Sequence, residues 1–422
     1  MARVLLILPS ATYRAPDFMA AARRLSVEVV VGSERRQALS RELGDRAVVI
    51  DLRRPEHAAE QIAALHERAP LDAIVAADDQ GVPAAALASE RLGLPGNPPK
   101  AAAAARDKLA MRRGLRTAGV PQPMFRAAGP EEDVGAIAAA LGLPCVVKPL
   151  GLSASRGVIR ADDPAGARAA AVRVRAIAEK AGQDSGQPLL VERFAPGREV
   201  AVEGLLRDGR LDVLAVFDKP DPLDGPYFEE TIYVTPSRLP AATLDGVEAV
   251  CSSAAEALGL REGPVHAELR VAKDELSVLE VAARSIGGLC SRTLRFGLGA
   301  SLEELILRHA LGRPLHDTVR QAGASGVMML PIPRAGTLRA VGGQEAARAV
   351  AGVAGLEITV APGRPVRPLP EGDRYLGFLF AAGTEAAEVE ATLREAHALL
   401  EIDIEAEGAA AEPRGALASA GA

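Results

Sequence analysis

The stretch VHAELRVAKDELSVLEVAAR (265–284) alternates apolar and polar residues on both sides of a short charged break. In a strand this alternation puts His266, Glu268 and Arg270 on one face and Val265, Leu269 and Val271 on the other. The break AKDE marks a hairpin. A turn centred on Asp274 makes Glu268 and Glu280 cross-strand partners, because both lie six residues from that centre. Their Cβ atoms would then sit roughly 5 Å apart, where like charges repel. Such a pair points to a cation held between them. Oxygen-only ligands favour Mg2+ or Mn2+, shared with the phosphates of a substrate. Arg284, four residues beyond Glu280, falls on the same face if the strand stays regular. There it can stabilise negative charge on a transferring phosphoryl group. The residues alone leave open a solvent-facing hairpin with ordinary charges.

Upstream, VVKPLGLSASRGV (146–158) ends a short β-type run in Lys148 and continues into a Gly- and Ser-rich stretch. The Walker pattern has its lysine after the glycines, on a helix; here it comes first, on a strand. Lys148 reads as a surface residue or a phosphate ligand, and the adjoining loop favours the second. Glycines such as Gly157 let backbone N–H groups approach oxygen, while Ser153 and Ser155 add donors. Lys108, in ARDKLAMR, sits on an expected helix, where a lone lysine is usually solvated. Glu192 and Glu199 flank RFAPGR and read as surface acids or as contacts to a nucleoside's amino group and ribose hydroxyls.

Length and composition set the frame. A chain of 422 residues is too long for one ordinary core and suggests two to four domains at about 100–200 residues each. Aromatic residues make up only 3% and the net charge is −6, so neither a stacking platform nor a basic field for nucleic acid is present. The N-terminal apolar run VLLIL is too short for a signal peptide. No run of about 20 apolar residues is present to span a membrane. Cys145, Cys251 and Cys290 form no C-x-x-C, which leads to the expectation of a reducing cytoplasm without disulfides or structural zinc. The first hundred residues alternate strand and helix signals, as in an open parallel sheet, whereas the pattern is β-rich from 189. One continuous helix is expected through AAAAARDKLAMRRGLRTAG (101–119).

Taken in order, D-K-x-x-M-R (107–112), V-V-K-P with its loop, E-x-F-x-x-G-x-E (192–199) and E-L-R-V (268–271) with L-E-V-A-A-R (279–284) resemble the ATP-grasp superfamily. GPVHAEL (263–269) and EVAARSIGG (280–288) resemble the carboxylate–amine ligases that include bacterial L-amino acid ligases. The resemblance runs from residue 1 to about 405. It implies an α/β and α+β fold with an N-terminal Rossmann-like parallel-sheet domain (1–100) and a small grasp subdomain (101–188). A large grasp subdomain (189–320), a C-terminal α+β domain (321–405) and a disordered tail (406–422) would follow.

It further implies that ATP lies between the two subdomains, with 151–158 closing over its phosphates. Lys108 and Lys148 would contact phosphates, the connector at Glu192 would read adenine, and Glu199 would hold the ribose. Glu268 and Glu280 would hold Mg2+. A carboxylate would attack the γ-phosphate, with Arg284 steadying the charge, and an amine would displace phosphate from the acyl phosphate. Many ATP-grasp enzymes carry E-x-N-x-R at the second metal site; Ala282 stands at the Asn position, which puts a second ion's ligation in question.

Loop 217–240 is a surface excursion or a cover for the acceptor pocket, with Lys219, Tyr233 or Arg238 meeting a carboxylate. Gly287 and Gly288 mark a candidate pocket wall. Cys290 reads as a small packed residue and His266 as a partner of Glu268. The partners expected are a small-molecule carboxylate and amine, with no nucleic acid and no membrane; a homodimer rests on the resemblance alone. Two other functions share these motifs: a carboxylase of the biotin carboxylase or purine-pathway kind that phosphorylates bicarbonate, and a nucleotide-binding module without catalysis.

Overall fold

A computed structural model describes residues 1–10, 12–35, 46–273, 275–315 and 317–406. The expected turn centre Asp274, and the expected tail from 407 onward, lie outside the described residues. Strand Arg3–Ile7 is central in a four-stranded parallel sheet, between Glu28–Ser33 and Ala73–Ala76, with Ala47–Val49 at one edge. Its unbroken apolar run serves both faces: Leu5 and Ile7 pack into one core, Val4 and Leu6 into another.

The helix expected through 101–119 is instead two helices, Pro99–Arg106 and Lys108–Thr117. Asp107 breaks the run in an extended conformation, and its Oδ1 accepts the N–H groups of Leu109 (2.8 Å) and Ala110 (2.9 Å). That cap places Lys108 on the first turn of the second helix.

A small antiparallel sheet follows, in the order Phe125–Ala128, Leu189–Arg193, Cys145–Lys148, Ile159–Ala161. Strand 189–193 therefore belongs to this layer and not to the large subdomain, whose start the sequence pattern sets at 189. Leu189 and Val191 bury themselves with Cys145 and Val147, which holds the strand there.

The long sheet has eight strands, all paired antiparallel: Glu275–Ala282, Gly263–Ala272, Arg198–Arg207, Arg210–Lys219, Ile232–Thr235, Ala324–Leu330, Gly377–Gly383 and Val353–Ile358. Its last three strands come from the segment beyond 321, so the C-terminal region continues the grasp sheet. Only Pro365–Val366, Gly336–Gly342 and Glu401–Glu405 form a separate three-stranded sheet.

On strand Gly263–Ala272, Val265, Ala267, Leu269 and Val271 pack in one core with Val247, Cys251 and Ala254 of helix Ala241–Leu258. Burying such aliphatic side chains contributes about 1.5–3 kcal/mol for each larger residue. The outer face thus holds the sheet, and the inner face is free to carry His266, Glu268 and Arg270. No helix among the described residues is long and apolar enough to cross a membrane.

Candidate active site

The inner face of the long sheet, the small sheet and loops from both ends of the chain enclose a cavity of about 320 Å³. Glu268 and Glu280 are cross-strand partners facing it, as the alternation requires. The register is reached with an irregularity: the turn end pairs Ala272 with Glu275, and a bulge lies between Glu268 and Leu269.

A lysine approaches each member of this pair. Lys108 Nζ lies 3.3 Å from Glu280 Oε1 and donates to the Leu152 carbonyl (2.8 Å), so it ties this carboxylate to the Gly/Ser loop. Lys219 Nζ lies 2.8 Å from Glu268 Oε1. It also sits 2.7 Å from Glu199 and 2.8 Å from Glu230. These three carboxylates lie within 4.8 Å of one another, with the Lys219 ammonium contacting all three. Burial alone pushes the Lys219 pKa down; the three carboxylates outweigh it and raise it well above the usual value. Arg284 follows strand Glu275–Ala282, lines the cavity, and pairs with Asp79 of the N-terminal domain at 3.1 Å.

Lys148 ends its strand buried, 2.6 Å from Glu192 Oε2, and Arg112 Nε reaches Glu192 Oε1 at 2.5 Å. Burial would raise the Glu192 pKa, but Arg112 and Lys148 outweigh it and hold it below the ordinary value. Both Glu192 oxygens are therefore engaged by cations. Glu199 is similarly taken up by Lys219 and Arg270 (3.0 Å). An adenine or ribose contact at either residue has to share these oxygens.

The loop contributes Ser153, Ala154, Ser155 and Val158 to the cavity. Ala154 and Ser155 take positive φ (55° and 54°), a sparsely populated conformation for residues with a Cβ. Gly157, expected to help hold phosphate, does not line the cavity: its N–H donates to the Pro370 carbonyl at 2.9 Å. The structure thus corrects that assignment, and the C-terminal region latches the loop's end.

Among the remaining candidates, Gly287 and Gly288 line the cavity, and Gly288 (φ +58°) has no room for a Cβ, which would fall 2.7 Å from the Phe378 ring. Arg238 is drawn away from the cavity by Asp218 and Glu390, each 2.9 Å distant, so the structure removes it from the acceptor pocket. Lys219 lies beneath the carboxylates and does not line the wall. Cys290 lines the cavity, and burial pushes its thiol pKa up, away from the thiolate.

His266 Nδ1 lies 2.5 Å from Glu203 and Nε2 3.4 Å from Glu268. Burial lowers its pKa, but Glu203 foremost reverses this and raises it to about 9. A raised folded-state pKa contributes stability that is complete below the unfolded value of 6.5 and is lost as pH rises through 9. Urea melts across this window are expected to show a decline on the order of 3 kcal/mol, absent in His266→Gln. A flat profile in the unmodified chain contradicts it.

Three contributors escape sequence reasoning: Glu230, Asp79 and Tyr375. Glu230 lines the cavity with Oε2 3.3 Å from the Tyr375 hydroxyl. Burial raises its pKa to about 7 against the opposing Lys219 charge. The only signal for it is the acidic pair in YFEET within an otherwise Pro- and Asp-rich loop.

Two facing sheets that close on a cavity lined by strand and helix lysines, with a carboxylate pair on an inner hairpin, define an ATP-grasp protein. Family models agree: residues 141–293 match the ATP-grasp domain, 19–96 the ATP-grasp N-terminal domain and 328–405 the L-amino acid ligase C-terminal domain 2. The chain belongs to the ATP-grasp superfamily. The crystal structure of an L-amino acid ligase from Bacillus licheniformis superposes with a TM-score of 0.78 at 25% identity, covering 96% of this chain and 99% of that one. Alanine–anticapsin ligase of Bacillus subtilis is 29% identical over 269 residues, 60% of this chain and 56% of that protein, so the match spans little more than half of that relative. N5-carboxyaminoimidazole ribonucleotide synthetase from Thermotoga maritima shares the fold (TM-score 0.70, 18% identity, 96% and 100% coverage).

Proposed function

We propose that the chain is an ATP- and Mg2+-dependent ligase that activates a carboxylate as an acyl phosphate and joins it to an amine, releasing ADP and phosphate. The observation that carries this reading is the convergence of Lys108, Lys148, Glu268, Glu280 and Arg284 on one cavity. A binding module without catalysis has no use for the carboxylate pair and the arginine together. The names of the relatives, amino-acid ligases, support the same class.

The donor set fits a hard divalent ion, since Glu268 and Glu280 offer oxygen only, from adjacent strands. When bound, Mg2+ neutralises phosphate charge and polarises the phosphoryl group. Lys148 and Lys108 take the phosphates, and residues 193–195, which line the cavity, read the base. A substrate carboxylate oxygen bonds to the γ-phosphorus as ADP leaves, with Arg284 meeting the developing charge. An amine nitrogen then bonds to the acyl carbon, and phosphate departs with the former carboxylate oxygen. Glu230, with its pKa near neutrality, takes up the proton that the amine loses. Holding the reactants in line supplies most of the acceleration.

The test is phosphate release with ATP and Mg2+ across pairs of amino acids, alongside bicarbonate. Release that requires an amino acid supports the ligase. Release that depends on bicarbonate points to the carboxylase reading, which the fold of the ribonucleotide synthetase also allows.

A further inference from the structure

The N-terminal domain forms one wall of the cavity with Pro9, Thr12, Tyr13 and Arg14 and with Asp78–Gln80, which follow the C-terminal ends of parallel strands Arg3–Ile7 and Ala73–Ala76. Ligand contacts in open α/β sheets gather at such ends. Here the loops also grip the grasp domain at one short segment, 284–286. Asp79 Oδ2 lies 3.1 Å from Arg284 Nη2, and the two side chains are only 13% and 12% exposed. Arg14 Nη1 donates to Ser285 Oγ and to the Ile286 carbonyl, both at 2.7 Å, and Arg14 is itself held by Glu303 at 2.8 Å.

The turn that presents Asp79 is tightly set. Gly81 packs so closely on strand Arg3–Ile7 that a Cβ would fall 2.7 Å from Ile7 Cγ2. Arg284 has left its strand, so pairing in the sheet no longer fixes it. Its guanidinium is set by Asp79 on one side and by the Ser285 carbonyl (3.0 Å) on the other. Two of its five N–H groups are used in this way, and the others remain for an oxyanion. A carboxylate beside a phosphate-binding arginine weakens simple attraction to a dianion. The arrangement favours orientation over raw charge.

From this geometry we infer that Asp79 is a positioning residue: it acts on the reaction by orienting the Arg284 guanidinium from across the domain boundary. The inference rests on the proposed role of Arg284. It makes the N-terminal domain part of the catalytic apparatus and not only a substrate wall.

The experiment measures kcat and the KM for ATP by ADP formation with Mg2+ and a mixture of proteinogenic amino acids. It compares the unmodified chain with Asp79→Asn, Asp79→Ala, Arg284→Ala and the Asp79→Ala/Arg284→Ala pair. Asp79→Asn keeps the size of the side chain, so it reads the charge contact even if the alanine variant folds poorly. Expected are a loss of about 10–100-fold in kcat for Asp79→Asn with unchanged KM for ATP, and a double variant within about twofold of Arg284→Ala alone. Undiminished kcat in Asp79→Asn overturns the inference while leaving the ligase reading intact, and so do additive losses in the double variant. Undiminished turnover in Arg284→Ala, or no ADP from the unmodified chain, defeats the underlying reading and the inference falls with it.

Discussion

Glu280→Gln is expected to cut ADP formation by about 10³-fold, the equivalent of the several kcal/mol that a bound divalent ion contributes to the transition state. The amide retains the volume of the carboxylate but removes one of the two anionic donors that face each other across the hairpin. The fold is expected to hold, because the strand is secured by other groups. Arg112 donates to the carbonyls of Val278 (3.0 Å) and Leu279 (2.7 Å), and Val278 and Val281 are buried in the outer core. The Glu280 side chain pairs with Lys108 at 3.3 Å and is a quarter exposed. Coupled-enzyme assays at increasing Mg2+, beside a thermal melt, separate the two effects. Turnover like that of the unmodified chain, with an unshifted Mg2+ requirement, removes the metal assignment.

Lys219→Met is expected to be the most damaging single change to stability. It leaves Glu199, Glu230 and Glu268 facing one another without the ammonium that lies 2.7–2.8 Å from each. Removing one partner of a buried ionic group costs about 3–5 kcal/mol. The loss should depend on pH in a defined sense. Without the lysine, the folded-state pKa values of the carboxylates rise above their unfolded value, so stability is retained at low pH and lost as pH rises through the raised values. The variant should therefore melt closer to the unmodified protein at pH 5 than at pH 8. A penalty that is small and independent of pH contradicts this account of Lys219.

Much of the fold could be read from local pattern. The unbroken apolar run at residues 4–8 occupies a parallel-sheet strand and the residue just after it, and the alternation at 265–271 separates a buried face from a chemical one. The Glu268–Glu280 pairing was also legible, although a bulge and not a simple turn centre brings the two into register. What escaped depends on partners distant in sequence. Arg112 closes the D-K-x-x-M-R motif, but its partner there, Glu192, lies 80 residues away and buries it fully. Asp79 reads as the polar end of a strand, and only the docking of Arg284, 205 residues on, gives it a role. The C-terminal strands join the grasp sheet by pairing Ile232–Thr235 with Ala324–Leu330, a contact no local period encodes. Loop glycines pose a related problem. Gly157 looks like a phosphate contact from its neighbours, whereas its N–H is spent on Pro370.

The central claim is that a carboxylate is phosphorylated on the way to an amide. It is tested most directly by supplying amino acids labelled with ¹⁸O in the carboxyl group, with ATP and Mg2+, and measuring the label in the released phosphate by mass spectrometry. Passage through an acyl phosphate predicts one carboxyl oxygen transferred to phosphate for each amide formed. Unlabelled phosphate accompanying amide formation contradicts it.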